Sequence, residues 1–162
     1  MVELRIANLA DADSVVEAYL ASRKRFLSYA PLAHSDEEVR HWIREELIPR
    51  GGVNVAVEDG VILGMLALSK DQEFGWIDQL YLRPESVGRG IGSLLLEHAK
   101  AVLGPPVRLY TFQENNLAMR FYERHGFHPI ACTDGGGNEE GCPDVLYEWA
   151  LKNGSEKPNF DR

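Results

Sequence analysis

Leu80-Tyr81-Leu82-Arg83-Pro84-Glu85-Ser86-Val87-Gly88-Arg89-Gly90-Ile91-Gly92-Ser93 is the stretch on which the reading of this chain turns. A β-rich run from about Phe74 stops at Arg83-Pro84, because proline cannot donate to a continuing ladder. Glycines follow, and from Gly90 the spacing is helical, with Ile91, Leu95, Ala99 and Val102 expected on one buried face. Glycines let consecutive backbone N–H groups converge without a Cβ in the way. The helix N-terminus adds a partial positive charge, so a turn of this kind holds a pyrophosphate mostly through main chain. The same pattern also serves as a plain tight connection, and both readings stand at this point.

Outward from that turn, the chain alternates between two periodicities. Val2 to Ala7 reads as a half-buried strand, and Asp11 or Asp13 can cap a helix running to about Tyr29. Ser35 and the acids Asp36, Glu37 and Glu38 start a second helix, with Val39, Trp42, Ile43 and Leu47 spaced for burial. Val53–Val57 and Val61–Leu68 flank Glu58-Asp59-Gly60, whose Asp-Gly step predicts an antiparallel hairpin. Gly104-Pro105-Pro106 breaks the helix after the glycine turn, and Val107–Phe112 is the next strand. Asn115 or Asn116 caps a short helix that ends at Gly126, and Phe127–Cys132 with Val145–Leu151 form a last strand pair. The predicted order is βααβββαβαββ, an α/β (α+β) chain. A single domain is expected over residues 1–151, followed by a polar C-terminal tail at 152–162.

Bulk properties exclude several classes. The formal net charge of -8 repels phosphate backbones, and the densest basic run, Arg23-Lys24-Arg25, reads as a solvated helix face, so no nucleic-acid partner is expected. No apolar stretch approaches the roughly 18–20 residues a bilayer requires, and Glu3, Asp11 and Asp13 stand where a signal sequence would be basic, then apolar. A cytoplasmic protein without membrane contact is expected. Cys132 and Cys142 fit neither a redox pair nor metal-ligand spacing and are read as reduced structural thiols. His34, His41 and His128 are not spaced as metal ligands, and His98 and His125 are expected to face solvent from helices. No metal is predicted.

Three phosphate-binding designs compete for the glycine turn. A P-loop is excluded because no Gly-Lys-Ser/Thr follows the glycines. A dinucleotide fingerprint beginning at Gly88 needs glycine where Ser93 stands and expects no residues between strand and glycines, although Glu114 lies near the distance for a ribose contact. The third design fits. Leu82-x-Pro84 followed by Gly88-Arg89-Gly90-Ile91-Gly92 resembles the acyl-CoA signature of the GNAT acetyltransferase superfamily. Asn115-x-x-Ala118-x-x-Phe121-Tyr122-x-x-x-Gly126-Phe127 is similar to that superfamily's downstream motif.

The resemblance implies a mixed, mostly antiparallel sheet with helices on both faces, whose strands ending near Leu82 and Phe112 splay apart to admit acetyl-CoA as co-substrate. Leu80, Tyr81 and Leu82 would line the pantetheine, and main chain from Val87 through Gly88, Arg89, Gly90, Ile91 and Gly92 to Ser93 the diphosphate. The family carries Gln or Arg where this chain has Val87, and contact there is expected through backbone. Asn115 and Ala118 would touch CoA, and Tyr122 would protonate the departing thiolate. A homodimer is expected by the same likeness.

The implied reaction is N-acetyl transfer to the amine of a small molecule or peptide, by direct attack in a ternary complex. A primary amine is almost wholly protonated at neutral pH, so a carboxylate that accepts its proton is useful. Asp78 is the first candidate and Glu73 the second; strand alternation puts Asp78 on the face of Leu80 and Leu82, opposite Gln79 and Tyr81. Asp78 reads equally well as an acid that only ties down a loop, and Tyr122 as a core residue. Asp134, Glu139, Glu140 and Asp144 crowd the segment between the last two strands without a lysine or arginine, which favours a cationic acceptor if that segment borders the site. Two other readings remain: a non-catalytic acyl-CoA-binding module of the same fold, and a dinucleotide-dependent redox enzyme.

Overall fold

A computed structural model describes residues 1–151; the expected polar tail at 152–162 lies outside the described residues. Seven strands form one sheet in the order β1-β2-β3-β4-β5-β7-β6. They are β1 (Glu3–Ile6), β2 (Val53–Glu58), β3 (Val61–Lys70), β4 (Gly75–Leu82), β5 (Val107–Phe112), β6 (His128–Thr133) and β7 (Asp144–Trp149). Among the described strands only β4 and β5 pair in parallel. The helices are α1 (Ala12–Phe26), α2 (Asp36–Trp42), α3 (Ile48–Arg50), α4 (Ile91–Leu103) and α5 (Asn116–Arg124), and a π-helical turn at Ile43–Leu47 joins α2 to α3. The predicted order is found once α2, the π-helical turn and the short α3, which run on without a break, are taken as the second helix. No helix among the described residues is long and apolar enough to cross a membrane.

Local chemistry explains the boundaries. Asp59 and Gly60 both have positive φ, at 51° and 77°, which is the two-residue turn whose twist matches its flanking strands. Ser35 and Glu38 exchange side-chain and backbone hydrogen bonds at the start of α2, a full capping box. Asp11 holds the N-cap position of α1, as one of the two predicted candidates, but its side chain makes no capping bond there. Asn8 caps a short 3₁₀ turn at Leu9–Asp11, while the Asp11 carboxylate accepts from the Asn8 amide and from Arg5 at 2.7 and 2.9 Å. Helix α1 ends at Phe26, short of Tyr29.

Two apolar clusters lie on opposite faces of the sheet, and β3 feeds both. Leu66 and Leu68 join the cluster under α4 and α5, with Leu95, Leu96, Ala99, Tyr122 and Phe127. Met65 and Ala67 join the one under α1 and α2, with Val15, Val16, Tyr19, Val39 and Ile43. This two-sided burial explains the largely apolar run of β3, where a strand with one wet face would alternate. On α4 the predicted stripe is off by one at its end. Val102 is 56% exposed and Leu103 is buried at 7%, because the buried face also takes in Leu96, which moves its centre toward Leu103. Leu103→Ala should therefore cost about 2–4 kcal/mol in urea unfolding, while Val102→Ala should stay within about 0.5 kcal/mol.

Candidate active site

Strands β4 and β5 pair at only two positions, Gly75 with Val107 and Trp76 with Arg108, and then diverge. Past Trp76, β4 keeps β3 on one side and faces a gap on the other. A cavity of about 910 Å³ opens there. Its walls are β4 from Ile77 to Tyr81, β5 from Leu109 to Phe112, one end of α5 and the inner side of α1 and α2, and the segment joining β6 to β7 borders its mouth.

Of the residues expected at the site, Asp78, Leu80, Tyr81, Asn115, Ala118 and Tyr122 line this cavity. Leu82 does not; it packs into the cluster below, close to Gly92 and Phe121. The glycine turn stands beyond the cavity wall, at the end of the strand: Val87 is exposed, and Gly88 and Gly90 have φ of 85° and 82°. Those angles are strained for any other residue. Gly90 forms the N-cap of α4, so the first-turn N–H groups of Ile91, Gly92 and Ser93 have no intrahelical acceptor. Arg89 is held to Glu58 of the β2–β3 hairpin at 2.8 and 3.0 Å, which ties the turn to the sheet. Glu73 lies in the turn before β4 and does not line the cavity.

Tyr122 is buried among Phe121, Phe127 and Tyr147, and burial raises its phenol pKa well above the ordinary tyrosine range, helped by Tyr81. The phenol therefore keeps its proton at neutral pH. Asn115 caps α5 by accepting from the Ala118 amide at 3.1 Å. Asp78 breaks the expected alternation: the register with β3 slips there, Ile77 facing Leu68 and Gln79 facing Ala67. Ile77 and Leu80 therefore join the same cluster, and Asp78 belongs to neither core cluster. Its carboxylate is accessible from the cavity. Desolvation by the surrounding protein raises its pKa above the usual aspartate range, against a hydrogen bond from Ser69 and the field of Arg50.

The sequence reading missed the side of the cavity built by α1 and α2. Arg23, expected on a solvated face, is 5% exposed. Its Nη1 donates to the Tyr81 hydroxyl at 3.1 Å, and its Nη2 donates to the Ala30 carbonyl at 3.0 Å and to Glu140 at 3.1 Å. Glu139 bonds His34 at 3.1 Å, and Glu38 lies 3.5 Å from the same imidazole. The acidic segment is thus not left alone as expected; Arg23 and His34, from distant elements, meet Glu140 and Glu139. Glu38, Trp42 and Glu46 line the cavity at spacings of four, a legible helical stripe. Arg23 carried no such signal, since its partners come from β4 and from the β6–β7 segment. Seven carboxylates border the cavity against one guanidinium. His98 and His125 are half-buried and bonded to Asn54 and to Ser93 and Glu97 respectively, not turned to solvent.

Comparison with known proteins agrees with this geometry. A spermidine N(1)-acetyltransferase of Thermoplasma acidophilum is 28% identical over 83% of this chain and 92% of its own length. The peptidyl-lysine N-acetyltransferase YiaC of Escherichia coli is 24% identical over 91% of this chain and 97% of its own. Among solved structures, apo YjaB from Escherichia coli superposes with a TM-score of 0.74 at 21% identity, covering 92% of this chain and 97% of that one. PaiA N-acetyltransferase from Thermoplasma acidophilum, solved with coenzyme A, gives 0.72 at 24%, covering 93% and 99%. The two superpositions speak for the fold. The acetyltransferase (GNAT) family model matches residues 17–127, from within α1 through the glycine turn to the end of the α5 motif, and on that match the chain belongs to the GNAT acetyltransferase family.

Proposed function

We propose that this acetyltransferase seats acetyl-CoA in the gap between β4 and β5 and transfers its acetyl group to the primary amine of a cationic small molecule or peptide. The observation that carries the reading is the divergence of β4 from β5 after Trp76, beside a cavity bordered by Tyr122 and Asp78. Pantetheine would pair with the free edge of β4 as an added strand does. The diphosphate would take the free amides at the start of α4, with Gly88 and Gly90 permitting the close approach.

In the ternary complex the amine nitrogen attacks the thioester carbonyl, forming the C–N bond as the C–S bond breaks. Asp78, directly or through water, accepts the proton that the amine loses, and its raised pKa makes it a stronger base than an ordinary aspartate. Tyr122 gives its proton to the sulfur, and its own raised pKa keeps that proton available. Glu37 and Glu46 border the cavity without an ion-pair partner among the described residues. They supply the negative field that favours a cationic acceptor. The spermidine and peptidyl-lysine acceptors named for two relatives are likewise cationic.

Three measurements test this. Gly90→Val forces a β-branched residue to positive φ, so the turn must rearrange, and the Kd for CoA in titration calorimetry should rise about tenfold or more. Unchanged affinity in the folded variant would overturn the cofactor placement. Tyr122→Phe should lower kcat by roughly 10²–10⁴-fold with CoA affinity nearly constant, read from thiol release; wild-type turnover would return Tyr122 to the core. Glu37→Gln with Glu46→Gln should raise KM for 1,4-diaminobutane severalfold while kcat holds, and added salt should weaken the wild type likewise. A double variant with the wild-type KM would remove the acidic mouth from the account of specificity.

A further inference from the structure

Next to the glycine turn, three side chains that do not line the acceptor cavity form a relay. Ser93, in the first turn of α4, has its Oγ 3.0 Å from Nε2 of His125, the residue that ends α5. The other ring nitrogen, Nδ1, lies 3.1 Å from the Glu97 carboxylate one turn further along α4. Lys100 donates to that same carboxylate at 3.2 Å, and its Nζ also donates to the His125 carbonyl. Phe121 meets the imidazole edge-on with centroids 4.9 Å apart, so the ring is fixed from both helices. Trp149 of β7 stands beside Lys100 and is uncharged. The charged groups in contact with the imidazole and its partners are thus Glu97 and Lys100, both from α4.

We propose that His125, held by Glu97, sets the direction of the Ser93 hydroxyl proton and so couples binding of the cofactor diphosphate to protonation of the imidazole. The inference rests on the cofactor placement proposed above. An ionised carboxylate only accepts, so Nδ1 carries the proton that faces Glu97. In the neutral ring Nε2 is therefore an acceptor, and the Ser93 O–H points at it, leaving only lone pairs for an anion. When the ring is protonated, Nε2–H donates to Oγ, and the serine O–H is released to donate to a phosphate oxygen at the helix N-terminus. The two binding events assist each other, and by linkage the effect is reciprocal. His125 is a positioning residue here; Ser93 makes the contact.

The probe is dephospho-CoA, whose diphosphate keeps its charge across the relevant range, titrated calorimetrically at several pH values. The wild-type Kd should fall roughly fivefold on acidification, between a pH at which the imidazole is neutral and one at which it is protonated. His125→Gln should flatten that slope. Glu97→Gln frees the imidazole to place its proton on Nε2 while neutral, so affinity at about pH 8 should rise above wild type, the opposite of what loss of a merely structural contact would give. A wild-type slope in His125→Gln, or weaker binding in Glu97→Gln, overturns the relay. If Gly90→Val leaves dephospho-CoA binding intact, the cofactor placement itself fails, and that outcome is distinct from a relay failure in a protein whose glycine turn does bind.

Discussion

The parting of β4 and β5 is the constraint on which the site depends. A strand that loses its neighbour within the sheet leaves a row of N–H and C=O groups without ladder partners, and such groups must find others. Here the exposed row belongs to the half of β4 beyond Trp76, and it faces a cavity instead of bulk surface. Everything that forms the site is arranged around that opening. Helix α5 brings Asn115, Ala118 and Tyr122 to one wall, and α4 starts where β4 stops. The packing of Leu82 close to Gly92 and Phe121 joins the end of the strand to both helices, so the glycine turn is positioned by the same core that supports the gap.

A second constraint is the buried charge of Arg23. A guanidinium at 5% exposure is costly unless its donors are met; the two Nη groups are met from three different segments, by Tyr81, Ala30 and Glu140, while Nε has no partner among the described residues. The result is a clasp between α1, the open half of β4 and the segment that borders the cavity mouth. Glu139 and His34 add a second, exposed clasp across the same gap. The acidic segment is therefore held against the α1–α2 side of the cavity, and its charges are spent largely on that closure. In the proposed reading the field available to an acceptor comes instead from Glu37 and Glu46, which border the cavity from the α2 side.

Local signals were legible and tertiary ones were not. The Asp59-Gly60 turn, the helix start at Ser35, the helix end at Gly126 and the cap of α5, where Asn115 is the one of two candidate asparagines that serves, are each decided within a few residues. The slip at Asp78 depends on the pairing of β4 with β3, a partner that alternation along one strand does not see. Arg23 reads as one of three consecutive basic residues until its partners on β4 and the β6–β7 segment are known. His125 reads as a polar residue at a helix end until α4 supplies Ser93 and Glu97 beside it. In each of these cases the deciding partner is far away in sequence, and periodicity carries no information about it.

The same physical effect prepares the two proposed proton-transfer groups in opposite ways. Desolvation disfavours the charged form of both Tyr122 and Asp78, and so raises both. For a phenol the consequence is that the proton stays on, which suits a group meant to protonate a departing thiolate. For a carboxylate the consequence is greater affinity for a proton, which suits a group meant to take one from an amine. The carboxylate must nonetheless remain ionised to act. The hydrogen bond from Ser69 and the positive field of Arg50, both favouring the anion, counter its desolvation. Tyr122 has no such counterweight: its desolvation is reinforced by neighbouring Tyr81. The register slip matters for the same reason, since it leaves Asp78 outside both apolar clusters, where full burial would neutralise it. A carboxylate at that point of β4 can be partly desolvated and still charged, which a regular strand facing the core at that position would not allow.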